Sequence, residues 1–239
     1  METKLENAKV LVIGGSSGMG LAVARKAAAL GAAVTIASRN EAKVRDAAAS
    51  IGKSVETAVV DTSSEESVAA LFASMGPLDH LVISGSSVRS GTLREMALED
   101  ALFTMQSKFW GPYLCAKHAT IQPTGSITFF SGILSRRPGK NDAVLGPVNA
   151  AVEALGRALA RDLAPVRVNT LSPGMTQGTG AYLGMPEEAR NGMYRAIAER
   201  LPVGKVGNPE DIADATILLM TNPFITGVVL DVDGGGLLV

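Results

Sequence analysis

An internal disulfide is excluded at the outset, because the chain has a single cysteine, Cys115, among 239 residues. That usage fits a reducing, cytoplasmic setting, and Cys115 itself reads as a buried helix residue. Two histidines, His80 and His118, cannot build a zinc cluster with one cysteine, so both are expected to be structural. Excess positive charge is missing too. The 22 Lys and Arg residues face 23 Asp and Glu, for a formal net charge of −1, which argues against nucleic acid as a partner. Hydrophobic residues make up 46% of the chain, yet no apolar run reaches the roughly 18 residues of a membrane span. The opening METKLENAK also lacks the apolar centre of a signal peptide.

What remains is a regular alternation of short apolar runs and helical patterns, the signature of a parallel sheet covered on both faces. Strands are expected near 9–14, 33–38, 55–60, 79–84, 125–131, 165–171 and 227–232. Helices are expected near 18–30, 40–51, 64–75, 97–119, 147–163 and 208–220, with a shorter one near 186–200. No repeat, linker or low-complexity segment divides residues 1–239, so one domain is expected. Asn208 can cap a helix whose first residue is Pro209. Leu98, Leu102, Met105 and Phe109, and likewise Val148, Val152, Leu155 and Leu159, recur at helical spacing as core or interface stripes.

The stretch Val10–Gly20, VLVIGGSSGMG, organises the rest. An apolar strand leads into Gly14, Gly15, Gly18 and Gly20 and then into helix-forming residues, and such a turn presents backbone N–H groups to a pyrophosphate. A plain strand–helix connector is the other reading. Residues 174–201, rich in Gly, Met and Pro beyond strand six, read as a lid or as a surface loop.

Read in order, Gly14-Gly15-Ser16-Ser17-Gly18-Met19-Gly20, Asp61, Arg167-Val168-Asn169 with Pro173-Gly174, and Thr226-Gly227 through Asp233-Gly234-Gly235 resemble the short-chain dehydrogenase/reductase family. The resemblance runs from about residue 8 to 235 and implies a single doubly wound, Rossmann-type α/β domain. Its implied sheet has seven parallel strands in the order 3-2-1-4-5-6-7. An oxidoreductase using a nicotinamide cofactor follows, acting on a small molecule and assembled as a homodimer or homotetramer.

Strand two ends Ala37-Ser38-Arg39-Asn40, with Ser38 where an NAD-selecting carboxylate would stand and Arg39 offering a planar fork to a phosphate. NADP(H) is therefore expected, unless Arg39 only salt-bridges on the surface. Cofactor contacts are assigned to Gly14, Ser16, Ser17, Gly18, Met19, Gly20, Ser38, Arg39, Asp61, Thr62, Ser84, Gly85, Asn149, Pro173, Gly174 and Thr176. Asp61 should meet the adenine, and Thr176 the carboxamide side of the nicotinamide.

The family's reaction uses a Tyr, a Lys four residues later, a Ser and an Asn. Aligning Ala150–Leu155 with the family's helix places Leu145 at the Tyr position, Asn149 at the Lys position, Gly132 at the Ser position and Lys108 at the Asn position. Leu145 cannot titrate, and Pro147 suggests a helix that begins late. Two further departures are Ile13 for the family's Thr and Ile83-Ser84-Gly85-Ser86 for its Asn-Asn-Ala-Gly.

Lys108, Asn149 and Ser131 are the candidate catalytic residues. Lys108 either touches the nicotinamide ribose or a substrate anion, or is a solvated helix lysine. Tyr182 and Tyr194 could carry a replacement acid, and Arg136, Arg137 and Lys140 could meet an acidic ligand or be plain loop residues. Three functions stay open: an NADP(H)-dependent oxidoreductase with an atypical site, a catalytically silent regulatory or assembly protein, and a lyase or isomerase on the same scaffold.

Overall fold

Alternation of side chains along each strand is what lets one sheet bury apolar residues on both faces. In β1 (Lys9–Ile13), Val10 and Val12 join one core cluster while Leu11 and Ile13 join the other. The computed structural model, which describes residues 5–180, 182 and 184–239, adds β2 (Ala33–Ser38), β3 (Glu56–Val59), β4 (Leu78–Ile83), β5 (Ile121–Phe130), β6 (Arg167–Pro173) and β7 (Val229–Val232). All are parallel, in the expected order β3-β2-β1-β4-β5-β6-β7.

On one face, α1 (Gly18–Ala29) packs against α8 (Pro209–Thr221), with α2 (Glu41–Ile51) beside them. The other face carries α3 (Glu65–Met75), α4 (Leu98–Met105), α5 (Gly111–His118) and α6 (Leu145–Asp162). A shorter helix, α7 (Glu187–Ala198), lies within the expected lid segment, of which positions 181 and 183 fall outside the described residues. Asn208 caps α8 as expected, its side chain accepting from Asp211 N at 2.9 Å while the Asp211 carboxylate accepts from Asn208 N. Among the described residues no helix is long and apolar enough to cross a membrane, and no group of three or more His, Cys, Asp or Glu could hold a metal ion.

The expected helices are corrected at two points. The helix expected over 97–119 is interrupted by a π turn at Gln106–Trp110. The helix expected from 147 starts at Leu145, because a proline in the first turn removes an N–H that has no intrahelical partner anyway. Of the stripe on α4, Leu98 and Leu102 face solvent, so they are surface and no part of the core.

His80 and Ser126 are register partners on β4 and β5, and His80 Nδ1 lies 2.9 Å from the Ser126 hydroxyl. Burial, aided by the charge of Arg167, pushes the His80 pKa down to about 4. The unfolded chain therefore takes up a proton near pH 6.5 that the fold refuses until about pH 4. Unfolding free energy is expected to fall as pH drops through that window, and urea titrations should show a shallower fall in His80→Asn.

Candidate active site and cofactor cleft

The chain order reverses at β1, whose neighbours are β2 on one side and β4 on the other, and a cleft opens where such strands end. There the turn after β1 meets the turn after β4 backbone to backbone. Gly14 adopts φ +84° and Gly18 φ +52°, both left-handed. A Cβ on Gly85 would stand 2.7 Å from Gly14 Cα, and one on Gly20 would strike the Gly14 carbonyl and the Ser84 hydroxyl. Glycine at these positions is thus a steric requirement of the turn. Helix α1 then starts with no side-chain cap from Ser17 and no acidic residue in its first turn, leaving its N–H groups to an anion.

A cavity of about 1650 Å³ follows from this turn along the strand ends, and it is lined by every residue assigned above to the cofactor. At one end lie Ser38, Arg39, Asp61 and Thr62, joined by Lys43, which the sequence reading missed although it sits one helical turn beyond Arg39. Arg39 Nη2 donates to Ser87 Oγ at 2.7 Å across the cleft, in place of the surface salt bridge considered for it. The Asp61 carboxylate accepts from the Ser63 hydroxyl at 2.7 Å and from Ser63 N at 3.0 Å. Those bonds, with Arg39 nearby, hold its pKa below the usual carboxylate value.

The other end gathers Lys108, Ser131, Gly132, Leu145 and Asn149. Asn149 is 2% exposed, its Oδ1 finds no partner among the described residues, and its Nδ2 lies where a Cβ on Gly132 would come within 3.1 Å. Lys108 is 9% exposed, which rules out a solvated helix lysine. The π turn carries it inward, and Nζ makes long contacts to the carbonyls of Ser131 (3.2 Å) and Phe130 (3.4 Å). Burial pushes its pKa down to about 8. The Ser131 hydroxyl is spent elsewhere, on Glu153 Oε1 at 3.2 Å and the Leu171 carbonyl at 3.4 Å, while Ser135 donates to the same Glu153 oxygen at 2.6 Å.

Pro173, Gly174, Met175 and Thr176 form the rim, followed by Tyr182, Ile197, Arg200 and Leu201 from the expected lid segment. Tyr182 and Tyr194 meet edge to face at 6.2 Å. Burial, then the neighbouring Tyr194 and Asp142, raise the Tyr182 pKa, whereas Tyr194 is buried away from the cavity lining. Arg136 pairs with Asp231 and Arg137 donates to the Gly236 carbonyl, so two of the three loop cations brace the fold. The backbone contact between the two turns yields a direct check. Gly85→Ala is expected to lower unfolding free energy by about 1–3 kcal/mol through overpacking against Gly14, as measured by urea denaturation.

The pattern of the family described as "Enoyl-(Acyl carrier protein) reductase" matches residues 14–236. The chain is 34% identical to the short-chain dehydrogenase/reductase ucsE of an Acremonium species, over 98% of this chain and 97% of that protein. A small-chain dehydrogenase solved in complex with NADPH shares 37% identity and superposes with a TM-score of 0.85, covering 98% of this chain and all of the other. The MalC reductase/Diels-Alderase of Malbranchea aurantiaca shares 27% identity with a TM-score of 0.92 over the whole of both chains. With its turn, strand order and near-complete coverage by these relatives, the chain belongs to the short-chain dehydrogenase/reductase family of NAD(P)H-dependent oxidoreductases.

Proposed function

We propose that this protein is an NADP(H)-dependent reductase of apolar carbonyl compounds that works without the family's Ser-Tyr-Lys-Asn set. The cofactor choice rests on two cations, Arg39 and Lys43, lining a cleft whose strand-two end carries Ser38 in place of a carboxylate. In this reading the Gly14–Gly20 turn and the start of α1 hold the pyrophosphate, with Ser84 and Gly85 alongside. Ser38, Arg39 and Lys43 hold the 2′-phosphate, and Asp61 with Thr62 meets the adenine. Asn149 Oδ1, buried without a partner among the described residues, accepts a ribose hydroxyl, and Pro173, Gly174 and Thr176 flank the carboxamide. When bound, the reduced nicotinamide supplies hydride.

Room for a second ligand is the observation behind a substrate. The cavity of about 1650 Å³ exceeds the upper end, about 1,000 Å³, of sites built for one small ligand. Its lining includes Leu134, Leu145, Met175, Ile197 and Leu201, which suits an apolar body. Leu145 cannot give up a proton, which is the ground for calling the site atypical.

Self-association belongs to the same proposal, since Leu98, Leu102 and Trp110 stay 69%, 59% and 45% exposed along α4 and the π turn. A second copy covering them would give the homodimer or homotetramer. A second reading, NADP(H) binding without carbonyl reduction, draws on the name of the Malbranchea relative, which joins a reductase to a Diels-Alderase on a fold of TM-score 0.92.

Fluorescence titration should give tighter binding of NADPH than NADH, and Arg39→Asp should lose roughly 10- to 100-fold in NADPH affinity while gaining relative preference for NADH. NADPH oxidation over a panel of apolar ketones and aldehydes should then reveal a substrate. An Arg39→Asp protein that keeps its preference for NADPH contradicts the cofactor assignment, and tight NADPH binding with no oxidation across the panel favours the second reading.

A further inference from the structure

A reductase needs a proton for the oxygen that hydride transfer leaves charged, and the cavity offers few groups able to provide one. Leu145 has no ionisable atom. The Ser131 hydroxyl is committed to Glu153 and the Leu171 carbonyl. Asp142 accepts from Gly139 N at 2.8 Å, and Tyr113 packs edge-on against Trp110. Tyr182 keeps its proton more tightly than an ordinary tyrosine.

Lys108 differs from all of these. An ammonium has three N–H bonds, and those of Lys108 have only two protein acceptors among the described residues, the carbonyls of Phe130 and Ser131 at 3.4 and 3.2 Å. Its side chain lines the cavity at the same end as Asn149 and Leu145 and enters no ion pair among the described residues. Gly132 leaves the wall beside Asn149 free of a side chain.

We propose that Lys108 is the catalytic proton donor of this site, pointing its third N–H at the carbonyl oxygen of the substrate. The inference rests on the reductase reading above. Hydride enters at the carbonyl carbon, the C=O π pair moves to oxygen, an N–H bond of the Lys108 ammonium breaks and an O–H bond forms. The product is the alcohol, and the neutral amine regains a proton from solvent through the open side of the cleft.

The surroundings suit that role. From α6 the facing groups are Asn149 and Glu153, the latter tied to Ser131 and Ser135. The end of β5 offers carbonyls, and α4 offers Glu99 and Asp100, the second paired with Arg89. Asp61 is tied to Ser63, and Arg137, Asp142 and Tyr182 line the remaining wall. No charged neighbour accounts for the lowered pKa of about 8; burial alone does, and it leaves an ammonium that is present at neutral pH and readily gives up its proton.

Turnover of wild type, Lys108→Met and Lys108→Arg, each saturated with NADPH, tests the proposal with whichever panel carbonyl the wild type reduces. Wild-type kcat is expected to fall as pH rises through about 8, where the acid form is lost. Lys108→Met should lose roughly 10²- to 10⁴-fold in kcat, with no break at that pH and with NADPH affinity unchanged within about twofold. Lys108→Arg, whose cation does not titrate in this range, should keep part of the activity with the break abolished.

A readout independent of turnover is the titration of the ¹³Cε lysine signals in the unliganded protein. The resonance missing from Lys108→Arg should titrate near 8, and one that titrates with ordinary lysines overturns the proposal. Retained kcat and an unaltered pH profile in Lys108→Met overturn it as well, while the reductase reading stands. Loss of NADPH affinity with saturated kcat preserved overturns it in favour of a ribose contact. A wild type that binds NADPH and reduces nothing removes the reductase reading and the donor together, a result set apart because the unmodified protein is itself silent.

Discussion

Two backbone segments touch at the point where the sheet changes direction, and much of the molecule follows from that contact. Gly14 and Gly85 lie so close that a methyl group on Gly85 would stand 2.7 Å from Gly14 Cα. The contact brings the ends of β1 and β4 together, aims the uncapped start of α1 into the cleft, and sets the Ser84 hydroxyl against Gly20. A dinucleotide site needs such proximity because backbone N–H groups are short arms, and any side chain in the turn would hold the phosphates away.

Beyond the turn the cleft divides into two chemical regimes. At the β2 end, Arg39, Lys43 and Asp61 are solvent-facing charges arranged by short local bonds, such as those from Ser63 to Asp61. At the β5 end the polar groups are buried and incompletely satisfied: among the described residues Asn149 Oδ1 has no partner and Lys108 has two long ones. Buried polar groups left unsatisfied by the protein are costly, and their cost is recovered when a ligand completes them. In the proposed reading the first region holds the 2′-phosphate and adenine of the cofactor, and the second holds the groups that a bound ribose and substrate would complete.

The alternating strands and the glycine turn were legible in the sequence because hydrophobic alternation and Gly spacing act locally, whereas the strand order came only with the family resemblance. So was the cap of α8, where Asn208, Pro209 and Asp211 each have a defined geometric task. The π turn at Gln106–Trp110 was not legible, since one extra residue in a helical turn leaves no mark on the apolar periodicity of 98–109. That single irregularity is why Lys108 could be read as a solvated lysine although it is buried. Pro147 misled in the other direction: it reads as a helix breaker, yet the first turn of α6 tolerates it. Lys43 was not legible because a lysine early in a helix carries no signal of its own until it is seen lining the same end of the cleft as Arg39.

Lys108 can serve as the proton donor only if it shares one compartment with the nicotinamide. Oxidised nicotinamide carries a positive charge on its ring and reduced nicotinamide does not, so a neighbouring ammonium is disfavoured by the first and indifferent to the second. The most direct measurement is the ¹³Cε titration of Lys108 in the protein saturated with NADP⁺ and, separately, with NADPH. A midpoint lower with NADP⁺ than with NADPH is the predicted result, and identical midpoints in the two complexes and in the free protein contradict the account.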